Sequence, residues 1–254
     1  MTGRNAAKKT EEKRTSMFNG KMKALTFSYD DGVTQDRRLI GLFNKYGLKC
    51  TFNLNSGTLG TGGPMIREEV TIPHVKPRAS EVRAIYEGHE IAAHTVTHPW
   101  LNRLTDEEVI REVEEDRLAL SEIAGYEVVG MAYPMGTHAM NDHVADLIRQ
   151  HTGIRYARTT TSTYSFDLQD DLIVFDPTVY HHREWDQLFE LGQKFVELDP
   201  AEPKLFYVWG HAYEFDIHDD WDRFEEFLKL VSGKKDIFYG TNREVLLGEG
   251  GPHA

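Results

Sequence analysis

Two sets of residues in this sequence are suited to chemistry by type and spacing: His94-Thr95-Val96-Thr97-His98, and Asp30-Asp31-Gly32. Histidines four apart lie on one face of a helical turn and can offer ring nitrogens to one cation. A carboxylate from another strand end would complete a two-histidine, one-carboxylate set with positions left open for water. That is the pattern of a catalytic site, since a closed structural site fills its fourth position with protein. A metal lowers the pKa of its water towards ~7, and a second carboxylate beside it can take the proton as water attacks a carbonyl. The leaving group needs an acid, and His211, just after the apolar run 205–209, suits that role. Asp-Asp-Gly on its own also suits a plain turn, so the assignment depends on the elements that position these residues.

From residue 23 onward, short β-rich runs alternate with helical patterns. Strands are expected over 24–29, 50–54, 90–93, 128–133, 155–159, 172–175, 205–209 and 237–239. Helices are expected over 34–46, 80–88, 141–151, 186–197, 219–231 and 241–247, and another from the capping box Thr105-Asp106-Glu107-Glu108 to about Ala124. The segment 57–78, dense in glycine and proline, reads as an irregular loop, and no internal repeat is present. About eight strand–helix units without a break indicate one α/β domain over 23–250, a parallel barrel or doubly wound sheet. In such folds, chemistry collects at the C-terminal ends of the strands. Asp30 and Asp31, Asn53 and Asn55, His94 and His98, Pro134 and Gly136, and His211 all follow that rule.

The chain has 254 residues, 41 acidic and 29 basic, and a formal net charge of −12. The balance excludes nucleic acid and anionic membrane as main partners, because both require a basic patch. The single cysteine, Cys50, excludes a disulfide framework and a cysteine-built metal site, and is expected in the core of the second strand. Residues 1–23 are +5 and the remainder −17, so 1–22 is expected to be a disordered basic tail. That tail holds no apolar run long enough for a secretory signal. Cytoplasmic localisation is therefore expected, or secretion if a leader has been trimmed.

Together with Thr26-Phe27-Ser28-Tyr29-Asp30-Asp31-Gly32 and the His94–His98 element, Tyr133-Pro134-Met135-Gly136 and Val208-Trp209-Gly210-His211 occur in an order that resembles the polysaccharide deacetylases with the NodB homology domain, carbohydrate esterase family 4. The resemblance spans about 24–216. It implies a distorted (β/α) barrel of roughly seven to eight parallel strands. The implied activity is removal of acetyl groups from N-acetylated sugars with a divalent metal, zinc before cobalt or nickel. By position, Asp30 corresponds to the catalytic base, Asp31, His94 and His98 to the metal ligands, and His211 to the general acid. The backbone amide of Met135 corresponds to an oxyanion donor, and Trp209, Tyr133 and Pro134 to substrate contacts. Thr95 would steady the metal loop.

Two departures stand out. The arginine that orients the base in the family's third motif is Ala132 here, and the Asp and Trp of its fourth motif have only loose counterparts in Glu184, Trp185 and Asp186. Glu214 or Asp216 could instead raise the pKa of His211. Two other readings stay open, a hydrolase of a small amide or cyclic imide and a non-catalytic carbohydrate binder; the oligomeric state is not indicated. The remaining features have plain readings. His181-His182 reads as solvated loop, Trp221, Phe224, Phe227 and Leu228 as core, and Asp219-Asp220 as a helix cap.

Overall fold

The structure, a computed structural model, describes residues 17–182 and 184–249. The expected tail falls mostly outside them. Its last residues are described: Met17–Gly20 form a 3-10 turn, and Phe18 is buried against Phe238.

The strands are β1 (Lys23–Asp30), β2 (Thr51–Leu54), β3 (Gly62–Arg67), β4 (Val70–Val75), β5 (Glu90–Ala93), β6 (Gly130–Ala132), β7 (Tyr156–Arg158), β8 (Val179–Tyr180), β9 (Lys204–His211) and β10 (Ile237–Tyr239). All but β3 and β4 form one parallel sheet in the order β7-β6-β5-β2-β1-β9-β8, with β10 beside the first half of β1. The helices are α1 (Asp36–Lys45), α2 (Ala79–Ile85), α3 (Asp106–Ala124), α4 (Asp142–His151), α5 (Trp185–Glu197), α6 (Glu214–His218), α7 (Trp221–Val231) and α8 (Asn242–Leu247). The architecture is the α/β, distorted barrel expected from the resemblance. Among the described residues, no helix is long and apolar enough to cross a membrane.

Alternation along the strands explains how the site is placed. On β1, Leu25, Phe27 and Tyr29 join the main apolar cluster with α1 and α7, while Ala24, Thr26, Ser28 and Asp30 occupy the opposite face. Their register partners on β9 are Leu205, Tyr207, Trp209 and His211. This inner face is small and apolar at one end (Ala24, Leu205, Tyr207 and Phe18 form a second cluster) and becomes polar towards the C-terminal ends. Thr26 donates to Asn242, and Asn53 donates to Ser28. Asp30 and His211 end this column side by side.

Several expectations change. The 172–175 strand reduces to one isolated bridge, Arg158 to Phe175, leaving the barrel irregular between β7 and β8. The 57–78 segment is an antiparallel hairpin, β3–β4, separate from the main sheet. His181 and His182 are buried, not solvated: His181 stacks between Tyr29 and Phe215 at ring distances of 5.4 and 4.4 Å. Cys50 is buried, and Trp221, Phe224, Phe227 and Leu228 are core as expected. Asp220 stands at the start of α7 without capping it; its carboxylate accepts from the Trp185 indole.

Candidate active site

Asp31, His94 and His98 converge at the rim. The Nε2 atoms of His94 and His98 lie 4.0 and 3.8 Å from Asp31 Oδ1, and all three ligand atoms are within 4.8 Å of one another. The histidines do not share a helical turn. They lie on a loop after β5, in which Thr95 and His98 adopt positive φ values of 67° and 60°. Asp31 and Met135 do the same at 78° and 53°. Left-handed backbone at four non-glycine positions in three rim loops is strain of the kind that collects at functional sites.

The histidine loop is held from all sides. His94 Nδ1–H donates to the Ala132 carbonyl at 2.8 Å, which leaves Nε2 as a lone-pair donor facing Asp31. The buried Asp116 of α3 accepts from the His94 amide at 2.9 Å, and Glu112 from the Thr97 amide and hydroxyl. Asn55 donates to the carbonyls of His94 and Thr95. Thr95 Oγ1 accepts from the His98 amide at 3.1 Å, the steadying bond expected of it. Burial pushes the Asp116 carboxyl up to about 7 and lowers His94 to about 4, so the His94 ring is neutral, the form that binds a metal. Two imidazoles and a carboxylate, pre-aimed from two loops, fit a zinc-class divalent cation.

Asp30 sits beside this group with a different set of partners. Nη2 of Arg158 donates to both of its oxygens, at 2.6 and 2.5 Å, and Asn53 donates to Oδ1 at 2.8 Å. Both residues of the Arg158–Asp30 pair are buried. Burial raises the Asp30 pKa, but Arg158, His94 and His211 outweigh it and hold the carboxyl below its ordinary value, so it is ionised at neutral pH. Arg158 was not foreseen. It projects from β7 as the register partner of Ala132 on β6, and its guanidinium lies 4.5 Å over the Trp209 ring. The orienting guanidinium missing from the third motif is thus present one strand further along the barrel. The sequence signal was Tyr156-Ala157-Arg158, which puts an arginine at the end of an inward-facing column.

Across the rim, His211 is the register partner of Asp30, and its Nδ1 lies 3.2 Å from Oε1 of the buried Glu214. Burial alone would lower the His211 pKa, but the Glu214 charge overrides it and lifts the ring to about 9. Of the two suggested partners, Glu214 takes this place; Asp216 instead accepts from Gln35 and Trp221. With His211 raised to about 9 and Glu214 held down at about 2, the pair loses its stabilising contribution as pH falls towards about 2 and as pH rises through about 9.

The remaining rim residues divide. The Met135 side chain is exposed, and its loop is closed by the Gly136 amide donating to Tyr133. Tyr133, Pro134 and Trp209 are all buried. The Tyr133 hydroxyl is spent on the Ile173 carbonyl and Trp209 stacks on Tyr180, so these side chains build the wall and present little open surface. The hairpin adds two residues that the sequence did not mark. His74 Nε2 is 3.6 Å from Asp31 Oδ2; Lys76 Nζ is 3.8 Å from Asp31 Oδ1 and donates to the Asp31 carbonyl.

The family profile described as polysaccharide deacetylase matches residues 18–157, more than half of the chain. No curated protein matches the sequence. Among solved structures, peptidoglycan deacetylase PdaC from Bacillus subtilis superposes with a TM-score of 0.53 at 16% identity, covering 89% of this chain and 91% of that one. A family 4 carbohydrate esterase from Streptomyces lividans, in complex with acetate, gives 0.52 at 14% identity over 87% and 92%. The chain spans only 61% of a Streptococcus pyogenes deacetylase and 44% of a Bacillus cereus polysaccharide deacetylase that it also matches. The barrel, the order of its motifs and the profile match agree: this chain belongs to the polysaccharide deacetylase family.

Proposed function

We propose that the protein is a metal-dependent hydrolase that removes N-acetyl groups from an N-acetylated saccharide. The observation that carries this is the separation of three tasks on one rim: a ligand group (Asp31, His94, His98), an ionised carboxylate pinned by Arg158 (Asp30), and a charged imidazole opposite (His211). A divalent cation held by the ligand group, zinc before cobalt or nickel, would polarise the acyl oxygen and acidify water. Asp30 accepts the proton of the attacking water, its oxygens kept in place by Arg158 and Asn53. The Met135 amide, fixed by its left-handed loop, supports the developing oxyanion without calling on the side chain. His211, kept protonated by Glu214, gives its proton to the departing amine. The partner is accordingly a saccharide, with neither nucleic acid nor membrane required.

Loss of the orienting arginine would favour a small-amide substrate, and Arg158 supplies that arginine to Asp30; a pure binder has no use for an ionised base beside the ligands. Acetate release from N-acetylchito-oligosaccharides, assayed beside a panel of small amides and cyclic imides, separates the readings. Release from the sugars is expected, and hydrolysis confined to the small amides would overturn the saccharide assignment.

The acid assignment makes a pH prediction. His211 is needed protonated, so kcat/KM holds below about 9 and falls as pH rises through it. In Glu214→Gln the largest upward influence on His211 is gone and only the Asp31 and Asp30 charges still oppose burial, so its pKa falls and the alkaline fall moves to lower pH. An alkaline limb that stays in place in this variant would remove Glu214 from the mechanism.

A further inference from the structure

A second group of ligand atoms lies outside the catalytic rim. Glu68, His182 and His218 come from three separate elements: the tip of the β3–β4 hairpin, the loop after β8, and the last residue of α6. His218 Nε2 is 3.0 Å from Glu68 Oε2, and His182 Nε2 is 3.8 Å from Glu68 Oε1. The two imidazoles stack at 5.4 Å with planes 19° apart, and all three ligand atoms lie within 4.8 Å of one another. Ligands at ~2.0–2.1 Å from a tetrahedral cation stand about 3.4 Å apart, a value that the two imidazole–carboxylate distances bracket.

The decisive atom is His182 Nε2. His182 is 2% exposed, and this nitrogen has no hydrogen-bond partner. A buried polar atom left this way bears a desolvation cost that no hydrogen bond offsets. It faces a carboxylate at a distance too long for a hydrogen bond and near that of two ligands sharing an ion. The hairpin tip adds a second sign. Glu68 and Glu69 both adopt positive φ, 52° and 66°, in a two-residue turn that ordinarily favours Asn-Gly, so the backbone is held in strained form where it presents Glu68. His181, His182 and Glu214 form a neighbouring candidate group, but it is wholly buried and Glu214 is already engaged by His211 and Tyr180. Glu68 and His218 leave a way in from solvent. Arg67, beside Glu68 in the hairpin, is turned to Tyr213 and Glu214.

We propose that Glu68, His182 and His218 form a second divalent-metal site, of the zinc class, that pins the hairpin tip to α6. Two imidazoles and one carboxylate are the donors that suit such an ion, with a fourth position for water. The consequence reaches the catalytic rim through both tethered elements. The hairpin carries His74 and Lys76 to Asp31, and α6 carries Glu214 to His211. The site therefore ties the hairpin that contacts Asp31 to the helix that supports the acid.

The test is metal stoichiometry of the full chain, stripped with a chelator and titrated with Co2+, read by absorbance and by the rise in Tm. The wild type should bind two equivalents. His218→Ala and Glu68→Gln, both at exposed positions, should bind one and lose the second increment in Tm. His94→Ala should likewise bind one, the other one. If the wild type binds a single equivalent that His94→Ala abolishes, or if His218→Ala still binds two, the second site does not exist. Either result leaves the catalytic ligand group untouched, and loss of only the His94-dependent equivalent leaves the second site standing.

Discussion

Replacing Arg158 by Ala is expected to destabilise the fold by about 3–5 kcal/mol and to remove most of the activity. The pair it breaks is buried on both sides, and a buried carboxylate stripped of its partner bears its full desolvation cost. With the largest influence opposing burial removed, the Asp30 pKa rises, and the acid limb of kcat/KM moves to higher pH. A purely structural role would lower Tm without moving that limb. A compensating change is available because Ala132 and Arg158 are register partners on adjacent strands. In the double variant Ala132→Arg/Arg158→Ala, the guanidinium stands on β6, where the resemblance expects it, and the space left by Arg158 can receive it. Activity should recover at least tenfold over Arg158→Ala, with the acid limb moving back. No recovery, with Tm restored, would show that Asp30 depends on the particular approach from β7.

That relocation shows what the sequence made legible and what it hid. Motifs anchored to strand ends could be read directly, because Asp30, His94 and His211 are fixed by the residues on either side of them. The β5 strand and α3 were equally clear; the first is a short β-rich run and the second opens with a capping box, in which Thr105 accepts from the Glu108 amide and Glu108 from the Thr105 amide. Arg158 was hidden because barrel register is non-local: a side chain can be supplied to Asp30 from either of two neighbouring strands, and only the assembled sheet shows which. The hairpin was hidden for a local reason. Its prolines argue against a strand, yet Pro64 and Pro73 are register partners, so the two missing amide donors fall on one rung of a ribbon separate from the main sheet. His74, Lys76 and Glu68 went unmarked with it. Polar type does not imply exposure at His181 and His182: one is packed between aromatic rings and the other is buried beside Glu68 of the hairpin tip.

The second large effect is expected at Asp30. In Asp30→Asn the amide keeps one oxygen to accept from Arg158, so the fold survives better than when the arginine is lost, and the ligand atoms of Asp31, His94 and His98 are unchanged. What disappears is the capacity to take a proton, worth about a hundred- to ten-thousand-fold in rate. The most direct measurement is acetate released per molecule of zinc-loaded protein from an N-acetylated oligosaccharide, with metal content determined on the same preparation, for the wild type and Asp30→Asn. The expected result is equal metal in the two and a rate at least a hundredfold lower in the variant. Undiminished acetate release from Asp30→Asn at equal metal content would contradict the assignment of Asp30 as the base on which the proposed hydrolysis depends.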